Sequence, residues 1–466
     1  MTAEQTTAVT DRTARELLDL LERREVSASD VIDAQIARIE AVDPQLNAIP
    51  TRTFERAREE ARASDARRAR GESLGPLEGL PVAFKDLQPT AGVRTTMGSR
   101  VLADWIPDED SLTVRRIRDA GAIGLGKTNV PEFGAGSQTY NDVFGPTRNP
   151  WDLTRTPGGS SGGAAAALAS RMIALADGSD YGGSLRNPAS FCNVVGFRTT
   201  PGLIPDDEPG DGLSLSVDGP MARTVRDVAL FLSVLAAPAR FAVADDVAVR
   251  GRRIALAPRF AGLPLDPDIV SEVEAAGTRL EALGCIVELA EPDVHEAELA
   301  FLAPRHVSFR RSILESVGDR VDELKPELRW HVTEGAKVTA DELAEAARAK
   351  RRLVDGFTTF MDRFDALVLP VSQVLPFPVD LTWPRHIQGV AMPNYVEWMR
   401  SCWAVSLFGA PALAVPSGFG GPDHRLPVGI QLVGRPGAEP AVLELGAAYE
   451  QAAGEPWRIA PYALRS

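Results

Sequence analysis

Between Thr156 and Arg186 the chain reads Thr-Pro-Gly-Gly-Ser-Ser-Gly-Gly-Ala-Ala-Ala-Ala, then closes on Leu-Ala-Asp-Gly-Ser-Asp-Tyr-Gly-Gly-Ser-Leu-Arg. Two glycine-flanked serine sites, Ser160/Ser161 and Ser184, bracket an alanine-rich segment that reads as a buried helix. Glycine lets one backbone approach another, or a ligand, closely, at an entropic cost. The stretch therefore either presents bare N–H groups and hydroxyls to a small substrate, or forms two glycine-rich turns in a tightly packed α/β core. These residues alone leave both readings open.

The 466 residues, 44% hydrophobic and 24% charged, can bury a large core, as one big α/β domain or two to three ordinary ones. The net charge of −14 argues against a nucleic-acid backbone or an anionic membrane as partner. Met1 to Arg15 is polar and lacks the apolar stretch of a signal peptide. The apolar run Val228 to Pro238 is too short to span a bilayer. Cys192, Cys285 and Cys402 offer neither a disulfide framework nor a metal spacing. Together these features point to a soluble, cytoplasmic protein. Of the 50 basic residues only five are lysines, Lys85, Lys127, Lys325, Lys337 and Lys350. A lysine in an apolar setting is then a candidate for what arginine cannot do, which is to lose its proton.

Apolar spacing predicts helices over Thr13–Arg24 and Ala28–Ala41, with capping residues from Ser27 to Asp30, and a charged helix over Arg52–Arg70. The short apolar strand Leu80–Asp86 carries Lys85 at its end. Helix Ser111–Ala120, strand Ala122–Lys127 and the strand-like Ile173–Ala176 and Val194–Phe197 follow, then helix Thr224–Leu235. A further unit is strand Ile254–Ala257, helix Asp268–Leu283 and strand Ile286–Leu289. Helices are expected over Glu296–Leu314, Ala340–Phe360, Tyr395–Val405 and Ala441–Ala452. Strands are expected over Ala366–Leu369, Ala412–Val415 and Val428–Val433, with a proline-rich loop at 370–393. This alternation predicts an α/β fold, a large mixed, mostly parallel sheet sandwiched between helices. With no low-complexity linker, residues 1–466 read as one domain in which 240–395 is the variable, pocket-forming segment.

Gly121-Ala-Ile-Gly-Leu-Gly-Lys-Thr128 satisfies the phosphate-loop pattern, but its context is inverted: Gly121 ends a helix and the residues between look like a strand. Gly158-Gly-Ser-Ser-Gly162 satisfies the nucleophile-elbow pattern of Ser-His-Asp esterases, with His386 or His424 as bases, yet no apolar strand precedes it. A third reading accounts for more. A serine hydroxyl needs a neighbouring base, and no histidine occurs before His295. Lys85 follows Val82-Ala-Phe, where burial should lower its pKa and permit a neutral amine. Taken singly, Lys85 could pair with Asp86, and Ser160 and Ser184 could hydrogen-bond within their turns. As a set they favour Ser–Lys chemistry.

At this point the residues match a known pattern: the chain resembles the amidase signature family of Ser–cisSer–Lys hydrolases. The matching text is Gly79-Leu-Pro-Val-Ala-Phe-Lys-Asp, the segment from Phe144 through Gly-Gly-Ser-Ser-Gly-Gly, and Gly178-Ser-Asp-Tyr-Gly-Gly-Ser-Leu-Arg-Asn-Pro-Ala. Pro427-Val-Gly-Ile-Gln-Leu-Val-Gly-Arg-Pro also fits. The resemblance spans nearly the whole chain, with residues 74–230 as its core. It implies Ser184 as nucleophile, Lys85 as base, and Ser160 as the bridge, after a cis Gly159–Ser160 peptide. It also implies an oxyanion hole from the backbone N–H groups of Tyr181, Gly182, Gly183 and Ser184, with Asp180 and Arg186 supporting the turn and no metal or organic cofactor.

Where the family carries small or β-branched residues this chain has Tyr181, which makes Tyr181 a specificity candidate. Ser179 and Asn193 are the other departures from the family's usual residues. Gln138, Tyr140 and Trp398 are candidate substrate contacts, and aromatic walls would suit an aryl or medium-chain acyl amide. The expected function is hydrolysis of a small-molecule amide, ester or carbamate by a monomer or homodimer. The alternative is the glutaminase subunit of an aminoacyl-tRNA amidotransferase.

Overall fold

Ten segments of four to nine residues and the two-residue Thr51–Arg52 become the strands of one large sheet, and most of the amphipathic segments between them become its covering helices. The structure, a computed structural model, describes residues 9–207, 212–454 and 460–464. The first part of the polar amino-terminal stretch, residues 1–8, lies outside the described residues. The strands are β1 (Thr51–Arg52), β2 (Pro81–Lys85), β3 (Ile123–Thr128), β4 (Leu175–Asp180), β5 (Val195–Arg198), β6 (Val217–Ala222), β7 (Arg253–Leu256) and β8 (Ile286–Leu289). They continue with β9 (Ala366–Pro370), β10 (His386–Ile387), β11 (Val390–Ala391), β12 (Ala412–Gly420) and β13 (Leu426–Val433). Eleven of these form one sheet in the order β1-β3-β2-β4-β6-β5-β12-β13-β9-β7-β8, and β10 and β11 form a separate ribbon.

The sheet is mixed, as the alternation predicts, but its parallel part is smaller than expected. Parallel pairing is confined to β3-β2-β4 on one side and β9-β7-β8 on the other. The strands between run antiparallel, because β6 returns against β4 and the pair β12–β13 is a direct hairpin. Strand β6 and the helices Arg186–Cys192 and Pro326–Gly335 were not legible in the apolar spacing. The expected helix over Tyr395–Val405 is instead a 3₁₀ turn, Glu397–Met399, followed by the helix Arg400–Ser406.

The amino-terminal helices are fixed by capping boxes at Thr13/Glu16 and Ser27/Asp30, in which each side chain bonds the other's backbone N–H. The alanine-rich helix Gly162–Ala169 is wholly buried. A Cβ on Gly163 would lie 2.4 Å from Asn129 N and 2.8 Å from Ala48 O, so only glycine lets this helix settle there. That close approach brings the serines before the helix up to the ends of β2 and β4.

Candidate active site

Lys85 ends β2, fully buried, with β4 alongside in parallel register. Its backbone N–H donates to Asp177 Oδ1 at 3.0 Å, which ties it to the neighbouring strand. Its Nζ lies 2.8 Å from Ser160 Oγ, 2.9 Å from Ser179 Oγ and 3.2 Å from the Ser179 carbonyl. Burial pushes the Lys85 amine down to about 8, against the opposing charges of Asp177, Asp218 and Asp180. The simpler pairing of Lys85 with Asp86 does not form. Asp86 turns away and accepts from Thr96, at 3.1 Å from the backbone N–H and 2.5 Å from the hydroxyl.

Ser160 follows a cis Gly159–Ser160 peptide at the start of the buried helix, and Ser184 sits in the turn after β4. The Ser161 N–H donates to the Ser184 carbonyl at 3.2 Å, so the two serine turns are joined through the backbone. The hydroxyls of Ser160 and Ser184 open on one cavity of about 230 Å³ without a direct hydrogen bond between them. Lys85, Ser160 and Ser184 are thereby brought together.

The Ser184 turn is built around Asp180. Its carboxylate accepts from Gly183 N (2.8 Å), Leu185 N (3.1 Å), Arg186 (3.0 and 3.1 Å) and Arg198 Nη1 (3.2 Å). Burial alone would raise this carboxyl, but the two guanidiniums outweigh it and hold it well below the ordinary carboxylate range. Arg186 is anchored in turn to Gln431 Oε1 at 2.8 Å and Ser406 Oγ at 2.7 Å. One expectation needs correcting here. The Gly183 N–H is engaged by Asp180 and is not presented to the cavity. Among the described residues the Gly182 and Ser184 N–H groups meet no acceptor. Gly183 itself stands at φ +124°, and a Cβ there would lie 2.7 Å from Cys402 Cβ, so the turn is glycine for steric reasons.

The cavity has an apolar side of Leu87, Met97, Phe133, Tyr181, Phe309 and Ile313, and a hydroxyl side of Ser214, Ser216, Ser308 and Ser312. Lys85 lies behind Ser160, and among the described residues no charged side chain lines the walls. Tyr181 is in the wall, as its position in the motif predicts. The other expected contacts are elsewhere. Gln138 is buried and donates to the Val379 carbonyl at 2.8 Å. Tyr140 lies under Lys325 Nζ, 5.3 Å from its ring centroid. Trp398, 1% exposed, packs edge-on to Phe377 and stacks on Phe191. The 3₁₀ turn explains the difference, since it turns Trp398 into the core. Phe309 and Ile313 were missed because a helix in the variable segment carries no motif. Its apolar face announced burial and not what it faces.

The competing motifs are absorbed by packing. Residues of the phosphate-loop pattern form β3, with Lys127 Nζ donating to the Gln88 carbonyl and to Thr90 Oγ1. His386 and His424 are exposed and border no part of this cavity.

The sequence profile of the family described as Amidase matches residues 30–443. The A subunit of the glutamyl-tRNA(Gln) amidotransferase of Moorella thermoacetica is 39% identical, over 94% of this chain and 96% of its own length. A bacterial aryl acylamidase, described as an amidase signature enzyme, superposes with a TM-score of 0.84 at 29% identity, covering 95% of this chain and 96% of its own. The corresponding amidotransferase chain of Thermotoga maritima superposes at 0.75 with 27% identity, covering 96% of each chain. No helix among the described residues is long and apolar enough to cross a membrane. With the family profile over most of its length and this fold around its paired serine turns, the chain belongs to the amidase signature family, hydrolases acting on carbon–nitrogen amide bonds.

Proposed function

We propose that this protein hydrolyses a neutral carboxylic amide through an acyl-enzyme on Ser184, with Ser160 and Lys85 as the proton relay. The observation that carries the reading is the 2.8 Å contact between Lys85 Nζ and Ser160 Oγ behind the cavity on which Ser184 opens. Neutral Lys85 takes the Ser160 proton as Ser160 takes that of Ser184, and the freed oxygen attacks the carbonyl carbon. The N–H groups of Gly182 and Ser184 receive the oxyanion, each donor contributing about 3 to 4 kcal/mol as in other hydrolases. The proton returns along the relay to the departing amine. Water, activated by the same relay, then releases the acid. The walls formed by the described residues are uncharged and support a neutral substrate with an aromatic or medium-chain apolar group, an ester or carbamate included. A charged group on that part of the substrate would be desolvated without a partner.

A second reading has its own support. The curated relatives are glutamyl-tRNA(Gln) amidotransferase chains, and they favour a glutaminase subunit over the stand-alone enzyme that the motifs alone suggested. The two readings share Ser184 and differ in substrate. The full chain is assayed alone against matched anilide, ester, carbamate and primary-amide substrates and against glutamine. Turnover of the neutral panel by wild type, absent in Ser184→Ala, supports the stand-alone enzyme. Glutamine hydrolysis with silence on the panel supports the amidotransferase component.

A further inference from the structure

Helix Ala297–Val317 places Phe301, Arg305 and Phe309 one turn apart on one face. Arg305 is 4% exposed, and among the described residues no carboxylate lies within ion-pair distance of it. Its guanidinium instead sits over aromatic rings, 4.1 Å from the centroid of Phe309 and 4.7 Å from that of Tyr181, with Phe301 at 5.6 Å. The first two rings are walls of the Ser184 cavity. They also meet each other edge-on at 5.7 Å, with interplanar angle 76°. One fork of Arg305 donates to Tyr395 Oη at 2.9 Å. Tyr395 Oη lies 2.6 Å from His331 Nε2, and His331 Nδ1 lies 2.8 Å from His306 Nδ1. One arrangement satisfies the row: Tyr395 donates to His331, and His331 donates to His306. Burial drives the His306 imidazole down to about 4 and that of His331 well below its ordinary value, with Arg305 adding to both effects and Lys325 to the second, so both rings are neutral beside the guanidinium.

We propose that Arg305 is a positioning residue that sets substrate selectivity, clamping the Tyr181 and Phe309 rings into a rigid slot for a flat aryl group beside Ser184. This rests on the amide-hydrolase reading above. A cation held between π-faces and tethered by a hydrogen bond fixes both rings at once. Tyr181 is three residues from Ser184, so the clamp also steadies the wall nearest the reacting atoms.

The test uses the full chain and two reagents that sulfonylate an active serine with loss of fluoride, methanesulfonyl fluoride and phenylmethanesulfonyl fluoride. Labelling of Ser184 is followed by mass spectrometry, beside KM and kcat for an aliphatic and an aromatic anilide. In Arg305→Met the phenyl-to-methyl labelling ratio should fall about tenfold, with KM rising for the aromatic anilide more than for the aliphatic one. Arg305→Lys, which keeps the charge, should recover part of the ratio. An unchanged ratio, or equal loss on both reagents, would overturn the clamp and leave the hydrolase reading standing. Failure of wild type both to label Ser184 and to cleave any amide would overturn that reading and the clamp with it. If Arg305→Met does not fold, Phe309→Leu removes one ring of the slot and should lower the same ratio.

Discussion

Arg186 and Arg198 converge on a single oxygen, Asp180 Oδ1, at 3.0 and 3.2 Å, and all three side chains are sealed from solvent. One carboxylate thus compensates two buried guanidiniums and also takes the Gly183 and Leu185 N–H groups on either side of Ser184. Shape and charge at the reacting serine have one common support.

Asp180→Asn should therefore be severely destabilising, by about 3–5 kcal/mol, because it strands two buried cations. Urea unfolding of wild type and variant measures it, and a loss below about 1 kcal/mol would contradict the account. The folded-state pKa of Asp180 is depressed, so its stabilisation is present above the unfolded value of 3.8 and is lost as pH falls through the lower folded value. The variant's deficit should accordingly be full at neutral pH and shrink in strong acid.

The Lys85 amine, lowered to about 8 by burial, gives a rising limb in kcat/KM centred near pH 8, because only the neutral form accepts a proton. The linkage has the same sign as that of Asp180, stability rising with pH, but here it is a cost being relieved and not a gain being made. Unfolded Lys85 binds a proton more tightly than folded Lys85, so its burial costs stability below the folded value, and the cost fades as pH rises toward 10.5. Lys85→Met should abolish turnover, and its stability relative to wild type should be about 3 kcal/mol more favourable at pH 7 than in alkaline solution. Parallel pH–rate and pH–stability curves test both halves.

Ser184→Ala and Lys85→Ala should each reduce turnover by at least about a thousandfold, the scale on which linked nucleophile and base act as a unit. Combining them should cost little more than either alone. His386→Ala and His424→Ala should retain wild-type rates. Steady-state kinetics on one anilide settles all four, and full activity in either alanine variant of the pair would refute the relay.

Trp398→Ala should lower stability by about 3–5 kcal/mol through the cavity it leaves against Phe377 and Phe191. The relative rates on aliphatic and aromatic anilides should not move. A changed preference would return Trp398 to the substrate's surroundings.

Much of this molecule was legible as text because close packing leaves few spellings. The turns carrying Ser160 and Ser184 must be glycine-rich where a Cβ on Gly163 or Gly183 would strike backbone or Cys402, and such constraints leave motifs. The apolar run ending in Lys85 announced a buried amine for the same reason. The walls left no such trace. Tyr181 was exposed by its position within a motif, but Arg305 looks like any of the chain's many arginines until its own helix and a distant Tyr395 surround it. Strand β6 escaped because Val217-Asp-Gly-Pro-Met-Ala alternates poorly, and its place is imposed by β4 and β5 on either side.

The reacting groups come from β2, β4 and the turns beside them, all before residue 190, whereas Arg305 and Phe309 on the other side of the slot hang from a helix more than a hundred residues later. That helix packs chiefly against Pro326–Gly335 and Ala340–Met361, and meets the turn after β4 through Phe301 and Phe309 on Tyr181. The Phe309 side of recognition is therefore separately heritable, whereas the Tyr181 side travels with the Ser184 turn. A lineage, or a laboratory library, can rewrite the helical face around Phe309 and explore new guests while the bond-breaking parts stay untouched.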